Sequence, residues 1–346
     1  MSVEVKPPMI PRTLPTLQVK SWQEELQHLI RDPRVLFEKL ELDESGLSDA
    51  RAAHTLFPLK VTESFLSRIK KRSLSDPLLR QILPLGIEAN DAPGYCTDPL
   101  QEDQFQPVPG LIHKYRSRVL LVTSSQCAIH CRYCFRRHFP YDQQRLDHQH
   151  WPAIVEYLQS KPEINEVILS GGDPLSASDR QLERLVEQIA KIAHIRRLRV
   201  HSRMPIILPS RVTQELLRAL CGSRLKIIMV VHCNHAQEID SLVVSAMTKF
   251  REAGMTLLNQ SVLLKGVNDD AIALAELSES LFEAGVHPYY LHTLDRVSGA
   301  QHFERDERYA RELYTALSAI LPGYLMPKLV KEEPHKPAKT LIAPLD

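Results

Sequence analysis

Cys127, Cys131 and Cys134 place three of the chain's six thiols within one eight-residue stretch, "CAIHCRYC". Thiolates are soft ligands that suit zinc or iron–sulfur clusters. Gaps of three and then two residues let a single loop close all three on one face of a cluster. Structural zinc and cubane 4Fe-4S clusters normally take four protein ligands. Three local thiols therefore leave one iron with an open position. The competing reading is a Cys3His zinc knuckle completed by His130 or His138. Arg132, Arg136, Arg137 and His138 lie among or just after the thiols. Their charge favours thiolates or an anionic ligand.

Other stretches carry weaker signals. "SGGDPL", Ser170 to Leu175, is a glycine pair at a predicted strand end. Such a pair lets backbone approach a ligand closely, and a plain turn reads equally well. Ser202, Arg203, His232 and Gln260 lie at or near other predicted strands. Each taken alone reads as hydrogen-bonded structure. The stretch "GYLMPKLVKEEPHKPAKTLIAPLD" is rich in Lys and Pro and has no helical period. It reads as extended or looped, and its composition alone fits a solvated tail. Cys96, Cys221 and Cys233 read as structural thiols.

These residues need elements to hold them. "RVLLVTSS", "INEVILSGG", "RRLRVHSR", "LKIIMVVHC", "MTLLNQSVLL" and "HPYYLHTL" are short apolar runs. Amphipathic stretches such as "SDRQLERLVEQIAKIA" and "EIDSLVVSAMTKFREAG" alternate with them. That alternation predicts an α/β fold, a parallel sheet with helices outside it. Six strands of this kind can curl into a partial (β/α)6 barrel, whose chemistry gathers on the loops after the strand C-termini. The thiol cluster, "SGGDP", "HSRMP", "HCNH" and "HTLDR" fall on those loops. Before them, "SWQEELQHLIRD", "DPRVLFEKLEL" and "VTESFLSRIKKR" have helical spacing, and "NDAPGYCTDPLQEDQFQPVPG" reads as an extended linker. The expected organisation is an N-terminal helical region with its linker over 1–105, a barrel core over 106–303, and a helix with a lysine-bearing segment over 304–346.

The net charge of +1 excludes a surface built to coat nucleic acid or dock on an anionic membrane. "MSVEVKPPMIPRTLP" lacks the apolar run of a secretory signal, and no stretch approaches the ~20 apolar residues of a spanning helix. A cytoplasmic protein with no nucleic-acid or membrane partner is expected. Thiols stay reduced there, so the cluster reads as a metal or redox centre.

The three-cysteine spacing, with Tyr133 directly before the last Cys and "SGGDP" after the second strand, resembles radical S-adenosylmethionine enzymes. From about residue 85 onward the chain resembles the lysine 2,3-aminomutase family. "PVPGLIHKYRSRVLL", "CRYCFRRHF", "RMPIILPSRV", "HCNHAQEI", "LNQSVLLKGVND" and "HPYYLHTLD" carry that likeness. The resemblance implies a 4Fe-4S cluster on Cys127, Cys131 and Cys134, with S-adenosyl-L-methionine on the open iron. It implies that Gly171, Gly172, Asp173, Ser202, Arg203, His232 and Gln260 line the pocket for that cosubstrate.

A third group, pyridoxal 5′-phosphate, is implied by "PAKTL", which matches the family's late lysine pattern at Lys339. Lys339 would form the Schiff base, with Lys336 as a competing candidate. A lysine in that role must be sheltered from water, so the segment is expected to fold over the barrel mouth. Lys114, Tyr115 and Arg118 stand where the family contacts this cofactor, with Arg118 on the phosphate. For the substrate L-lysine, Arg136 matches the carboxylate-binding residue, and Asp295 and Glu332 match the pair that holds the ε-ammonium. Two departures stand out: Glu332 replaces an Asp of the larger aminomutases, and His292 replaces an aromatic residue.

The implied reaction moves the amino group of lysine from C2 to C3, giving β-lysine. The compact chain is most similar to the bacterial branch that makes (R)-β-lysine for elongation factor P. That branch implies an electron donor such as flavodoxin or ferredoxin, and raises contact with the ligase that attaches the product. The rival readings are a radical enzyme without pyridoxal phosphate and a zinc-knuckle module contacting RNA or protein. Near-neutral charge counts against RNA.

Overall fold

In the computed structural model, which describes residues 21–144, 146 and 149–344, nine strands form one sheet in sequence order. They are β1 (Leu111–Tyr115), β2 (Arg118–Ser124), β3 (Glu166–Gly171), β4 (Arg197–Ser202) and β5 (Lys226–Val231). Then follow β6 (Thr256–Val262), β7 (His287–His292), β8 (Lys328–Lys331) and β9 (Thr340–Leu341). The six expected strands are β2–β7, each parallel to the next. β8 adds a seventh parallel strand, and antiparallel β1 and β9 border the ends. The sheet is not closed, since β1 and β9 are its two edges.

Each parallel step is bridged by a helix, as a crossover connection requires. Trp151–Gln159, Asp179–Ala190, Gln214–Cys221, Ser241–Glu252, Ala271–Glu283 and Glu307–Ser318 fill these places in turn. The last five start at side-chain caps that satisfy the first free N–H groups: Ser178, Thr213, Asp240, Asp270 and Asp306. Residues of β4 alternate between buried and half-buried. Leu198 and Val200 point to the helices, while Arg199 and His201 point into the barrel, because side chains alternate across a strand.

The N-terminal helices do not stand apart from the sheet. Trp22, Leu36, Phe37, Phe65 and Ile82 share one continuous core with Leu121, Val167, Leu198 and Met229. Thr62 donates to the Ile207 carbonyl at 2.5 Å. A second core joins Leu313 and Leu317 of the last helix to Leu291 and Leu329, seating β8 beside β7. The N-terminal sequence read for a secretory signal lies in residues 1–20, outside the described residues. Among the described residues no helix is long and apolar enough to cross a membrane.

Candidate active site

The loop after β2 carries the three thiols, and the N-terminal helices hold it. His130 N–H donates to the Lys60 carbonyl and Arg132 N–H to the Gln81 carbonyl, each at 2.9 Å. The fully buried Arg132 forks onto Glu88, which also takes Arg137. Thus pinned, Cys127, Cys131 and Cys134 all face one cavity of about 560 Å³, ample for small-molecule ligands.

The thiols fit a cluster of soft cations rather than one ion. Burial pushes the Cys134 thiol up to about 11, and Cys131 beside it adds to the shift. Burial, with Asp173 and the two other thiols, raises Cys127 well above its usual value. Cys127 and Cys134 become thiolates only when nearby positive charge offsets their burial. Arg203 Nη1 already donates to Cys131 Sγ at 2.8 Å. His130 Nδ1 donates to the Pro58 carbonyl at 2.7 Å while its ring stacks on Phe57. His138 Nε2 donates to the Ser298 carbonyl at 3.2 Å. Among the described residues no three His, Cys, Asp or Glu side chains converge on a single ion position. A cubane, by contrast, sets each thiolate on its own iron.

Gly171 and Gly172 close the loop after β3 against the thiol loop. Gly172 N–H donates to the Ser124 carbonyl, and a Cβ on Gly172 would lie 2.6 Å from the Gln126 carbonyl oxygen. Gly171 also has a left-handed φ of +112°, so neither position tolerates a side chain. Asp173 is occupied by the protein itself: it accepts from Ser202 Oγ at 2.7 Å and from the N–H groups of Leu175, Arg203 and Met204. It ties the loops after β3 and β4 together. Ser202 is buried behind Asp173 and does not reach the cavity wall, unlike the pocket position expected for it. Arg203, His232 and Gln260 do line the cavity.

His201 and His292 join His232 there, with the His201 and His232 rings edge to face at 5.8 Å. Burial holds His232 down at about 4 and the other two well below the usual value. The three imidazoles are thus neutral at physiological pH. Each keeps an Nε2 with no partner among the described residues.

At the other end of the cavity Lys339 comes in from the C-terminal segment, whereas Lys336 is exposed and outside the wall. The Lys339 ammonium pairs with Glu332 and lies 5.7 Å from the centre of the Tyr290 ring. Glu332 also accepts from Lys114 Nζ at 2.7 Å and from the Tyr115 hydroxyl. Burial opposes its ionisation, but Lys339, Lys114 and Tyr115 outweigh that and hold it down at about 2. Arg118 stacks 4.1 Å over the Tyr115 ring at the cavity edge. Lys114, Arg118 and Lys339 supply the cations and the amine that a phosphorylated aldehyde needs, so these residues fit pyridoxal phosphate.

Asp295, after β7, behaves differently. Its carboxyl makes no hydrogen bond to any described residue, and burial raises it to about 7. It faces both this cavity and an adjoining one of about 390 Å³. Arg136 faces the same space, but Glu102 grips it: Nε to Oε2 at 2.7 Å and Nη2 to Oε1 at 2.6 Å. Glu102 comes from the stretch read as a spacer. Its neighbours Asp98 and Asp103 made it look like ordinary loop acidity. No spacing in the sequence pairs it with Arg136.

Residues 121–231 match the Radical SAM superfamily. The chain is 48% identical to an L-lysine 2,3-aminomutase of Escherichia coli (strain K12), over 96% of this chain and 97% of that one. It belongs to the L-lysine 2,3-aminomutase family. The family relative from Haemophilus influenzae is 44% identical over 94% of this chain and 96% of its own. That from Clostridium subterminale is 35% identical over 83% of this chain and 69% of its own. Within the family fold, the radical SAM match ends with β5. β6, β7 and β8 complete the cavity wall with Gln260, His292 and, one residue past β8, Glu332.

Proposed function

We propose that this protein moves the amino group of L-lysine from C2 to C3, giving β-lysine. One observation carries the reading: Lys339 opens into the same sheltered cavity as Cys127, Cys131 and Cys134. A 4Fe-4S cluster with S-adenosylmethionine, and pyridoxal phosphate, supply there a hydrogen-abstracting carbon radical and a conjugated system that spreads the unpaired electron of the migrating amine.

The chain's own residues bind and orient. The Arg136 guanidinium takes the lysine carboxylate, whose two oxygens match its fork. Asp295 and Glu332 take the ε-ammonium; the Asp295 carboxyl has no hydrogen-bond partner among the described residues. When Glu332 turns to that ammonium, it leaves its ion pair with Lys339 Nζ. Lys114, Tyr115 and Arg118 form the phosphate-facing wall. Gly171 and Gly172 bring backbone to the cosubstrate, with Arg203, His232 and Gln260 beside them. Asp173, which also lies on the cavity wall, and Ser202 behind it hold these loops in register. The neutral imidazoles of His201, His232 and His292 add hydrogen-bonding groups without added charge.

The higher identity to the Escherichia coli relative, over nearly the whole of both chains, supports the compact branch. Its product would be (R)-β-lysine for elongation factor P, made in the cytoplasm with electrons from a flavodoxin or ferredoxin; the attaching ligase is the candidate partner. Anaerobic incubation of reconstituted protein with L-lysine, S-adenosylmethionine and dithionite, followed by chiral analysis, tests this. β-Lysine of R configuration is expected. Absence of β-lysine sinks the reaction, and an S product sinks the branch assignment.

A further inference from the structure

Glu102 occupies the Nε–Nη2 edge of Arg136, the edge that suits a carboxylate. Two parallel bonds from Nε and Nη2 fill the side of the fork with Glu102, and Nη1 donates to Ser170 Oγ at 3.0 Å. The two charged side chains are 6% and 12% exposed, so the pair is screened little by solvent. Both line the cavity. Their charges cancel, leaving nothing to draw an anion until one leaves.

Glu102 is arranged to leave. Its carboxylate makes no hydrogen bond to a described side chain other than Arg136. It sits at the start of a short turn, Glu102–Phe105, that follows Gln101 at a left-handed φ of 51°, a strained backbone for a residue with a side chain. The same turn touches the segment bearing Lys339. His335 Nε2 donates to Gln101 Oε1 at 2.9 Å, and the Phe105 and His335 ring centres are 5.3 Å apart.

We propose that Glu102 is an affinity-setting residue: it stands in for the substrate's α-carboxylate on Arg136, and a ligand with that carboxylate must displace it. The proposal rests on the lysine reading of the site. An internal competitor lowers apparent affinity by the fraction of molecules in which Arg136 is occupied. The penalty falls only on ligands whose carboxylate takes Arg136; a diamine or amide that satisfies Asp295 and Glu332 alone neither meets it nor gains from its removal. The contact with His335 couples this exchange to the Lys339 segment.

The test is calorimetric titration of anaerobic, fully reconstituted protein with L-lysine and with L-lysinamide, which lacks the carboxylate. In Glu102→Gln, lysine is expected to bind about tenfold tighter, with lysinamide changed less than about twofold. Glu102→Asp retains the charge on a shorter arm that reaches the fork poorly; it should also tighten lysine binding, and serves if the Gln variant does not fold. Lysine affinity equal to or weaker than wild type in the folded variants overturns the proposal and would mean that Glu102 orients Arg136. Failure of the wild-type protein to bind lysine at all would instead overturn the lysine reading, and this inference with it.

Discussion

Lys114 Nζ and Glu332 Oε1 lie 2.7 Å apart, joining β1 to the end of β8 across the mouth of the cavity. Glu332 thereby holds two lysines and a tyrosine at once, one of the contacts that fasten the C-terminal segment to the barrel.

Removing that carboxylate leaves Lys114 and Lys339 mostly buried without a counter-charge. Glu332→Gln should lower the unfolding free energy of the cofactor-free protein by about 3 kcal/mol, the scale of breaking a buried ion pair. Urea unfolding measures it, and a loss below about 1 kcal/mol would remove Glu332 from this role. The pH dependence has a definite sign. Glu332 is depressed from 4.5 to about 2, so its contribution is complete above about 4.5 and fades as pH falls toward 2. The Gln variant should lack that acid-side loss.

Asp295 runs the other way. Its carboxyl is raised from 3.8 to about 7, so the folded state favours the protonated form. Stability from this group is full below 3.8 and is lost as pH rises to about 7. Asp295→Asn should flatten that decline. A lysine ammonium favours the ionised carboxylate, so lysine affinity should rise through about pH 7 with proton release. Titration in buffers of different ionisation enthalpy detects the proton; its persistence in Asp295→Asn would exclude this residue.

Arg136→Lys keeps the charge and loses the fork. A drop of about 10- to 100-fold in kcat/KM for lysine is expected, the scale of one charged hydrogen bond. Steady-state kinetics showing near-native values would separate Arg136 from the carboxylate.

Borohydride treatment of protein loaded with pyridoxal phosphate, followed by peptide mapping, should mark Lys339 and leave Lys336 unmarked, since only Lys339 reaches the cavity. A label on Lys336 would reverse the assignment.

Cys131→Ala should abolish iron binding while leaving the circular dichroism spectrum intact. The loop is pinned through backbone bonds from His130 and Arg132 that do not use the thiol. Retained iron at the wild-type ratio would contradict the ligand role.

The sequence by itself determined the periodic pattern. Apolar runs and amphipathic helices specify strands β2–β7 and their crossovers, because burial on two faces or one leaves its mark residue by residue. Three thiols in one short loop needed no folding to be seen together. Tertiary structure decided what depends on contacts between distant segments. "KLVK" is too short to announce β8, which forms because Leu329 and Val330 find cover beside β7. Ser202 carried the polarity of a pocket residue, yet the strand's alternation turned it away behind Asp173. Glu102 and Arg136 are separated by 34 positions, and no local rule links two opposite charges across that distance. Their meeting follows from where the N-terminal core sets the linker down, which is a property of packing and not of any stretch of sequence.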